Sequence, residues 1–334
     1  MKPKNMQSAL IMVDENPYCF WDWDLRNKNE EFLREYDPMY FESLSSMFFH
    51  YLDEEEEFSD EQRQYMSFGL RFLLSQAAES LFALMAATLQ APDCIYGWLF
   101  KYRGNQLNSV IGKIASGIPV RNKFKLSQTT WDSISNLIHS FQLEDKEKEL
   151  RIKQKYGEFW SRLSSDFLSD EFSSIYNSIK HGYRAHPGGM FVSVGRETVP
   201  GQAAKPEDMV PLGGSKYGAT YYYSDPDIDD NRNIRLRKRT TNWSPRALWY
   251  QIALIRYSMS NLISFLRLQH GHDPKDAQFI WPENLEDFSK DLETTPGTLN
   301  VSFDMQISEK HIKKLSKEEM IAIYDKHFGV GTDS

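Results

Sequence analysis

At 334 residues, 40% hydrophobic and 14% aromatic, the chain is long enough for one large or two modest domains and too apolar for disorder. A formal charge of −8 at pH 7 disfavours wholesale coating of nucleic acid but leaves room for a local basic patch. Two cysteines, Cys19 and Cys94, exclude a disulfide framework and a cysteine-rich zinc site, and they suit a reducing cytoplasm.

The apolar run 9–13 is too short for the core of a secretory signal, and no stretch approaches 18 consecutive apolar residues. A soluble cytoplasmic protein without a membrane span is expected. The first forty residues mix aromatics with turn formers, as in Tyr18-Cys19-Phe20-Trp21-Asp22-Trp23, and read as an irregular arm over a core. Asp37-Pro38 opens a short helix to about Tyr51, with proline well placed at its start. The acidic run 54–57 is either a solvated face or a weak site for a metal or a basic partner.

Ser59 and Gln62 form a capping box before the longest helical signal, 61–90. Leu70, Leu73, Leu74, Ala77, Leu81, Phe82 and Met85 surround more than half of that helix, which is therefore central and buried. Glu79 interrupts the apolar surface: it either faces a groove or neighbouring helix, or pairs with cations and orients an imidazole. Further helices are predicted near 106–116, 128–141 and 145–163. A break at 166–170 then precedes a helix bearing Tyr176 to Arg184, which His186-Pro187-Gly188-Gly189 stops.

Alternating patterns at 190–196, 217–223 and 233–241 predict strands, with turn material at 225–227 and 229–231. Ser244-Pro245 starts a second core helix, to about His270, that should pack on helix 61–90. Weak helices near 283–292 and 308–325 make a peripheral tail. The expected domain plan is an arm and short helix over 1–58, a helical bundle from 59–189 and 244–271, a β-meander insertion over 190–243, and a tail over 272–334. The fold class is mainly α, an antiparallel helical bundle with a small antiparallel meander.

On a continuous helix, Asn177, His181 and Arg184 fall on one polar stripe, with Lys180 beside them. Nearby cations disfavour the imidazolium, so His181 should be a neutral base while Lys180 and Arg184 hold a phosphate. That is the donor set of a metal-independent ribonuclease; the bland reading is an ordinary polar helix end with cations suited to the macrodipole. Arg235, Arg237 and Arg239 alternate on one strand face, near Tyr221 and Tyr223. They either contact single-stranded nucleic acid by phosphate pairing and stacking, or pair with the acidic turns. His270-Gly271-His272-Asp273 is a weak metal candidate, Gly213-Gly214-Ser215-Lys216 lacks the spacing of a phosphate loop, and Cys94 reads as a small buried residue.

The segments Ser75-Gln76-Ala77-Ala78-Glu79-Ser80-Leu81-Phe82-Ala83-Leu84, Gln90-Ala91-Pro92-Asp93 and Tyr176-Asn177 through His181-Gly182 resemble the HEPN superfamily. The likeness covers about 61–185 and 245–271. It implies a helical bundle, a homodimer with motif helices facing each other, and a setting in bacterial defence or toxin-type systems. Active members carry an arginine, a polar residue and a histidine four to six positions beyond. Asn177 and His181 match, whereas Tyr176 stands at the arginine position and Arg184 is the substitute cation. The resemblance implies RNA binding, with metal-independent cleavage in its strongest form. His181 is then the base, Arg184 and Lys180 the phosphate clamp, and Asn177 and Glu79 the orienting groups. The alternative is a non-catalytic protein-interaction or scaffolding module with a degenerate site. The expected partners are RNA, a second copy and a protein from the same system, with no cofactor and no metal.

Overall fold

In the computed structural model, which describes residues 7–52, 58–180, 184–197, 199, 201–226, 234–292, 302–306 and 315–328, the chain opens with a hairpin. This replaces the irregular arm expected there. β1 (Gln7–Val13) and β2 (Asn16–Asp22) pair antiparallel, with Val13 opposite Asn16. Asp14, at φ 55°, takes the left-handed turn position that a short acidic side chain tolerates. The turn is held from elsewhere in the chain. Gln90 Oε1 accepts from the Asp14 N–H at 2.9 Å, Gln90 Nε2 donates to Asp14 O at 3.1 Å, and Lys113 Nζ pairs with the Asp14 carboxylate at 2.6 Å.

α1 (Leu25–Glu35) and α2 (Met39–His50) follow, the second starting just after Pro38 as its sequence predicts. The acidic run 54–57 lies outside the described residues. α3 (Asp60–Gln90) begins at the predicted capping box. Ser59 Oγ accepts from the Gln62 N–H at 3.2 Å, and Gln62 Oε1 accepts from the Ser59 N–H at 2.8 Å. By length and composition α3 also resembles a membrane span, but 78% of its most apolar window is buried inside the protein. α4 (Ile95–Lys101), absent from the sequence reading, precedes α5 (Gly104–Ala115), α6 (Trp131–Ile138), α7 (Lys146–Phe167) and α8 (Asp170–Lys180). Cys94 is buried and Cys19 exposed.

Among the described residues six further strands follow: β3 (Ala185–Pro187), β4 (Phe191–Gly195), β5 (Met209–Gly214), β6 (Gly218–Pro226), β7 (Ile234–Asn242) and β8 (Ser302–Gln306). They do not form one meander. β3, β6, β7 and β8 make a four-stranded antiparallel sheet in that order, while β4 and β5 form a separate hairpin. The divide sits at Asn242, which is 3% exposed. Its amide accepts from the Met190 N–H at 2.8 Å and donates to Met190 O at 2.9 Å, taking both backbone groups where β3 would continue. Gly189 is required beside it, because a Cβ there would run into the Ser215 carbonyl oxygen. The predicted turn residues 227 and 229–231 lie outside the described residues.

α9 (Pro245–Gln269) is capped by Ser244, whose Oγ accepts from the Ala247 N–H at 3.3 Å, and it packs along α3 as expected. α10 (Lys317–Phe328) ends the described chain. Residues 278–288 are no peripheral tail. Asn261 donates to Ile280 O at 2.9 Å and accepts the Ile280 N–H at 2.8 Å; Tyr156 Oη donates to the same carbonyl at 2.6 Å. Phe288, 1% exposed, lies edge-on to Tyr156. The fold is therefore mainly α, built around the α3–α9 pair, with three small antiparallel sheets among the described residues.

His139 sits inside this network, its ring stacked on Tyr156 at 4.3 Å and fully buried. Asn261 Nδ2 lies 3.1 Å from its Nε2, so Nε2 accepts and Nδ1–H donates to Ser135 O at 3.0 Å. Burial, the largest cause, pushes its pKa down to about 3. The unfolded chain therefore takes up the proton first, so stability is full above pH ~6.5 and falls as pH drops toward 3. Urea unfolding should show a loss of about 2 kcal/mol between pH 6.5 and 5 that is missing in His139→Gln. Gln90→Ala, which strands the Asp14 N–H and the Trp98 Nε1–H, should cost about 2–4 kcal/mol in the same assay.

Candidate functional site

α8 buries Phe172 and Ile175, leaves Tyr176 and Ile179 half-buried, and exposes Asn177 and Lys180. Ser178, 2% exposed, also faces inward, and its Oγ donates to Tyr222 O at 3.1 Å. This bond ties the helix to β6, and the sequence reading missed it because only the β6 register reveals its partner. The described helix runs to Lys180. Arg184 already belongs to the approach to β3: its N–H donates to Ser178 O at 2.7 Å, and its carbonyl accepts from the Tyr222 N–H at 3.3 Å. The predicted stripe of Asn177, His181 and Arg184 assumed one uninterrupted helix. That assumption fails for Arg184, which is exposed and off the helix axis. His181 lies outside the described residues.

Glu79 has partners other than the cations proposed for it. Among the described residues its carboxylate accepts from Tyr102 Oη at 3.3 Å and faces the Tyr176 hydroxyl. Burial raises both phenols, Tyr176 to about 12, and the Glu79 charge adds to the effect because a phenolate beside a carboxylate is repelled. Both tyrosines therefore remain neutral donors across the ordinary pH range. Tyr176 also lies against the Phe72 ring at 5.7 Å, and the Lys180 ammonium sits over its face at 5.4 Å. Tyr176 is thus an aromatic donor to Glu79, and among the described residues the structure does not bring Glu79 and Arg184 together.

The basic strand also differs from expectation. Tyr221, Tyr223, Arg237 and Arg239 share one face of the β6–β7 ladder, with Tyr221 opposite Arg239 and Tyr223 opposite Arg237. That face looks at the helices. Tyr221 is 0% exposed, so it has no surface on which a base could stack. Arg239 donates to Tyr223 Oη at 2.8 Å, lies over the Tyr223 ring at 4.8 Å, and comes within 4.0 Å of Glu171 on α8. Arg237 is half-buried on the same face, and the backbone of Arg235 continues it beside Asp225. The outward face carries Tyr222 and Lys238, 5.9 Å apart, with Phe303 and Met305 of β8 beside them.

The histidine cluster is also engaged. His270 Nε2 lies 3.0 Å from Pro92 O, and His272 Nε2 lies 2.5 Å from Glu30. Among the described residues no group of three metal-binding side chains is assembled. Compared with protein-family models, curated proteins and solved structures, the chain matches none. What the site and fold define is thus a mainly α protein whose polar candidates largely serve internal contacts. Replacing Tyr221 with alanine should cost about 3–5 kcal/mol by urea unfolding. Tyr222→Ala, on the outward face, should stay within about 0.5 kcal/mol. Equal effects would mean that the sheet is turned the other way.

Proposed function

We propose that the protein is a non-catalytic protein-interaction module of HEPN-like type, with a degenerate nuclease site. The observation that carries this reading is the chemistry of the exposed β surface. On β4 and β5, Phe191 is 71% exposed, Val210 64%, Leu212 55% and Val194 54%, and both outer edges of this hairpin are unpaired among the described residues. Apolar side chains beside open strand edges suit a protein surface or an added strand, and they give nothing to a phosphate backbone. The interior placement of Tyr221 and Arg239 supports the same reading, since it removes a stacking residue and one arginine from the RNA-facing set. A tyrosine at the arginine position, engaged with Glu79, points the same way. Homodimerisation and a partner from the same system belong to this proposal; a soluble cytoplasmic setting does too.

The test is incubation of labelled total RNA with wild type and His181→Ala in EDTA, followed by native binding gels of the same samples. Neither protein should cleave, and neither should shift RNA at physiological salt. Cleavage by wild type that disappears in a folded His181→Ala variant overturns the proposal and establishes a metal-independent nuclease.

A further inference from the structure

Between α3, the α7–α8 turn and the start of α9 lies a cavity of about 490 Å³, within the range of about 300–1,000 Å³ that small-molecule sites occupy. A second cleft, of about 240 Å³, continues it and shares Leu163, Asp166, Gln251 and Asp291 with it. Phe172, Leu74 and Trp243 supply apolar wall, so the space is neither a dry packing defect nor an open polar groove.

The charges around it sort themselves by partner. Arg162 donates to Phe288 O at 2.8 Å and pairs with Asp291 at 3.2 Å, and Gln251 donates to the other oxygen of Asp291 at 3.3 Å. Glu171 has Arg239 at 4.0 Å. When these internal pairs are set aside, one cation and one carboxylate remain among the described lining residues: Arg71, from the middle of α3, and Asp166, exposed near the end of α7.

Arg71 lies in an unusual setting. Its guanidinium lies over the Phe172 ring at 4.6 Å, and among the described residues its side chain makes no hydrogen bond and no ion pair. Its nitrogens are nonetheless not sealed off, since none of them is among the buried unsatisfied atoms. They open onto the cavity. Burial lowers its pKa, partly offset by the charges of Glu171 and Asp166, yet an arginine stays protonated in proteins. Burial likewise raises the Asp166 pKa, against the pull of Arg71. The first turn of α9, at Ser244 and Ala247, borders the same cavity and presents the positive end of its dipole. A desolvated arginine fork without a protein acceptor is suited to bidentate capture of a carboxylate.

We infer that this cavity binds a small zwitterion of the free amino acid class, its carboxylate on Arg71 and the first turn of α9, its ammonium at Asp166. An anion alone would meet the negative field of Asp166 and Glu171, and an amine alone would leave Arg71 without an acceptor. A ligand carrying both charges satisfies both ends. The apolar wall of Phe172, Leu74 and Trp243 then receives its side chain.

The experiment is a thermal-shift screen of the full chain with the twenty common L-amino acids, each at about 10 mM, followed by calorimetry on any that bind. Each binder is compared with its matching amine and acid, which lack one of the two charges; for L-alanine these are ethylamine and propionate. At least one amino acid should raise the melting temperature of wild type, and its amine and acid should not. Arg71→Leu should weaken that binding by about 10- to 100-fold. It should fold normally, because it removes an unpaired charge from a desolvated place. Asp166→Asn, at an exposed position, provides the second variant and should weaken the amino acid in the same range. Failure of all twenty amino acids to shift wild type overturns the inference. So does an acid that shifts it as much as the amino acid, or a shift that survives in Arg71→Leu. None of these readouts depends on whether the chain cuts RNA.

Discussion

The structure depends on the burial of α3. A helix of 31 residues spans roughly 45 Å, and from Leu70 to Gln90 most of its circumference is apolar and buried. No single partner covers such a surface. α9 takes one side along its length, and α2, α5, α7, α8 and β1 cover much of the rest. Several of the polar groups that α3 carries into this interior are matched individually. Ser67 accepts the Trp243 Nε1–H at 2.8 Å, Thr88 bonds back to Leu84 O at 2.8 Å, and Gln90 serves β1, Trp98 and Arg121 together. The Ser67 and Gln90 bonds fix where other elements must lie, so the helix that drives burial also helps to set the register of what surrounds it.

That dependence explains which parts of the fold were legible. The starts of α3 and α9 are written locally, in Ser59 with Gln62 and in Ser244-Pro245, and their apolar stripes reveal that both are core. The hairpin β1–β2 is not local in this sense. Its strands alternate only loosely, and the group that fixes its turn is Gln90, 76 residues away. The segment 278–288 reads as weak because its stabilisation comes from Asn261 and Tyr156 rather than from its own periodicity. β8 reads as tail for the same reason: its meaning lies in the edge of β7.

The candidate site shows where pattern reasoning is weakest. Alternation along β6 and β7 establishes that Tyr221 and Tyr223 share a face with Arg237 and Arg239, but parity does not say which face the helices cover. The covering element is α8, anchored by Ser178 to the Tyr222 carbonyl, and it takes the tyrosine–arginine face for the interior. A helical wheel has the same blind spot at its end. Asn177 lies where the wheel puts it, whereas Arg184 does not: Arg184 is not helical and directly precedes β3.

Two buried environments in this protein show opposite treatment of polar groups. Around His139, the Asn261 amide, the Ser135 carbonyl and stacked aromatics satisfy the imidazole, and the residues 278–281 close over it. The polarity there is spent inside the fold, and the region reads as architecture. Around Arg71 no comparable closure occurs: the guanidinium has an aromatic face beneath it, carboxylates at a distance, and open volume in front. A leucine at that point of α3 would meet Phe172 without desolvating a charge, so Arg71 carries a desolvation that no hydrogen bond or ion pair among the described residues offsets. The Phe172 face offsets part of that cost, and the acceptor of the proposed zwitterion, arriving through the cavity, would offset the rest.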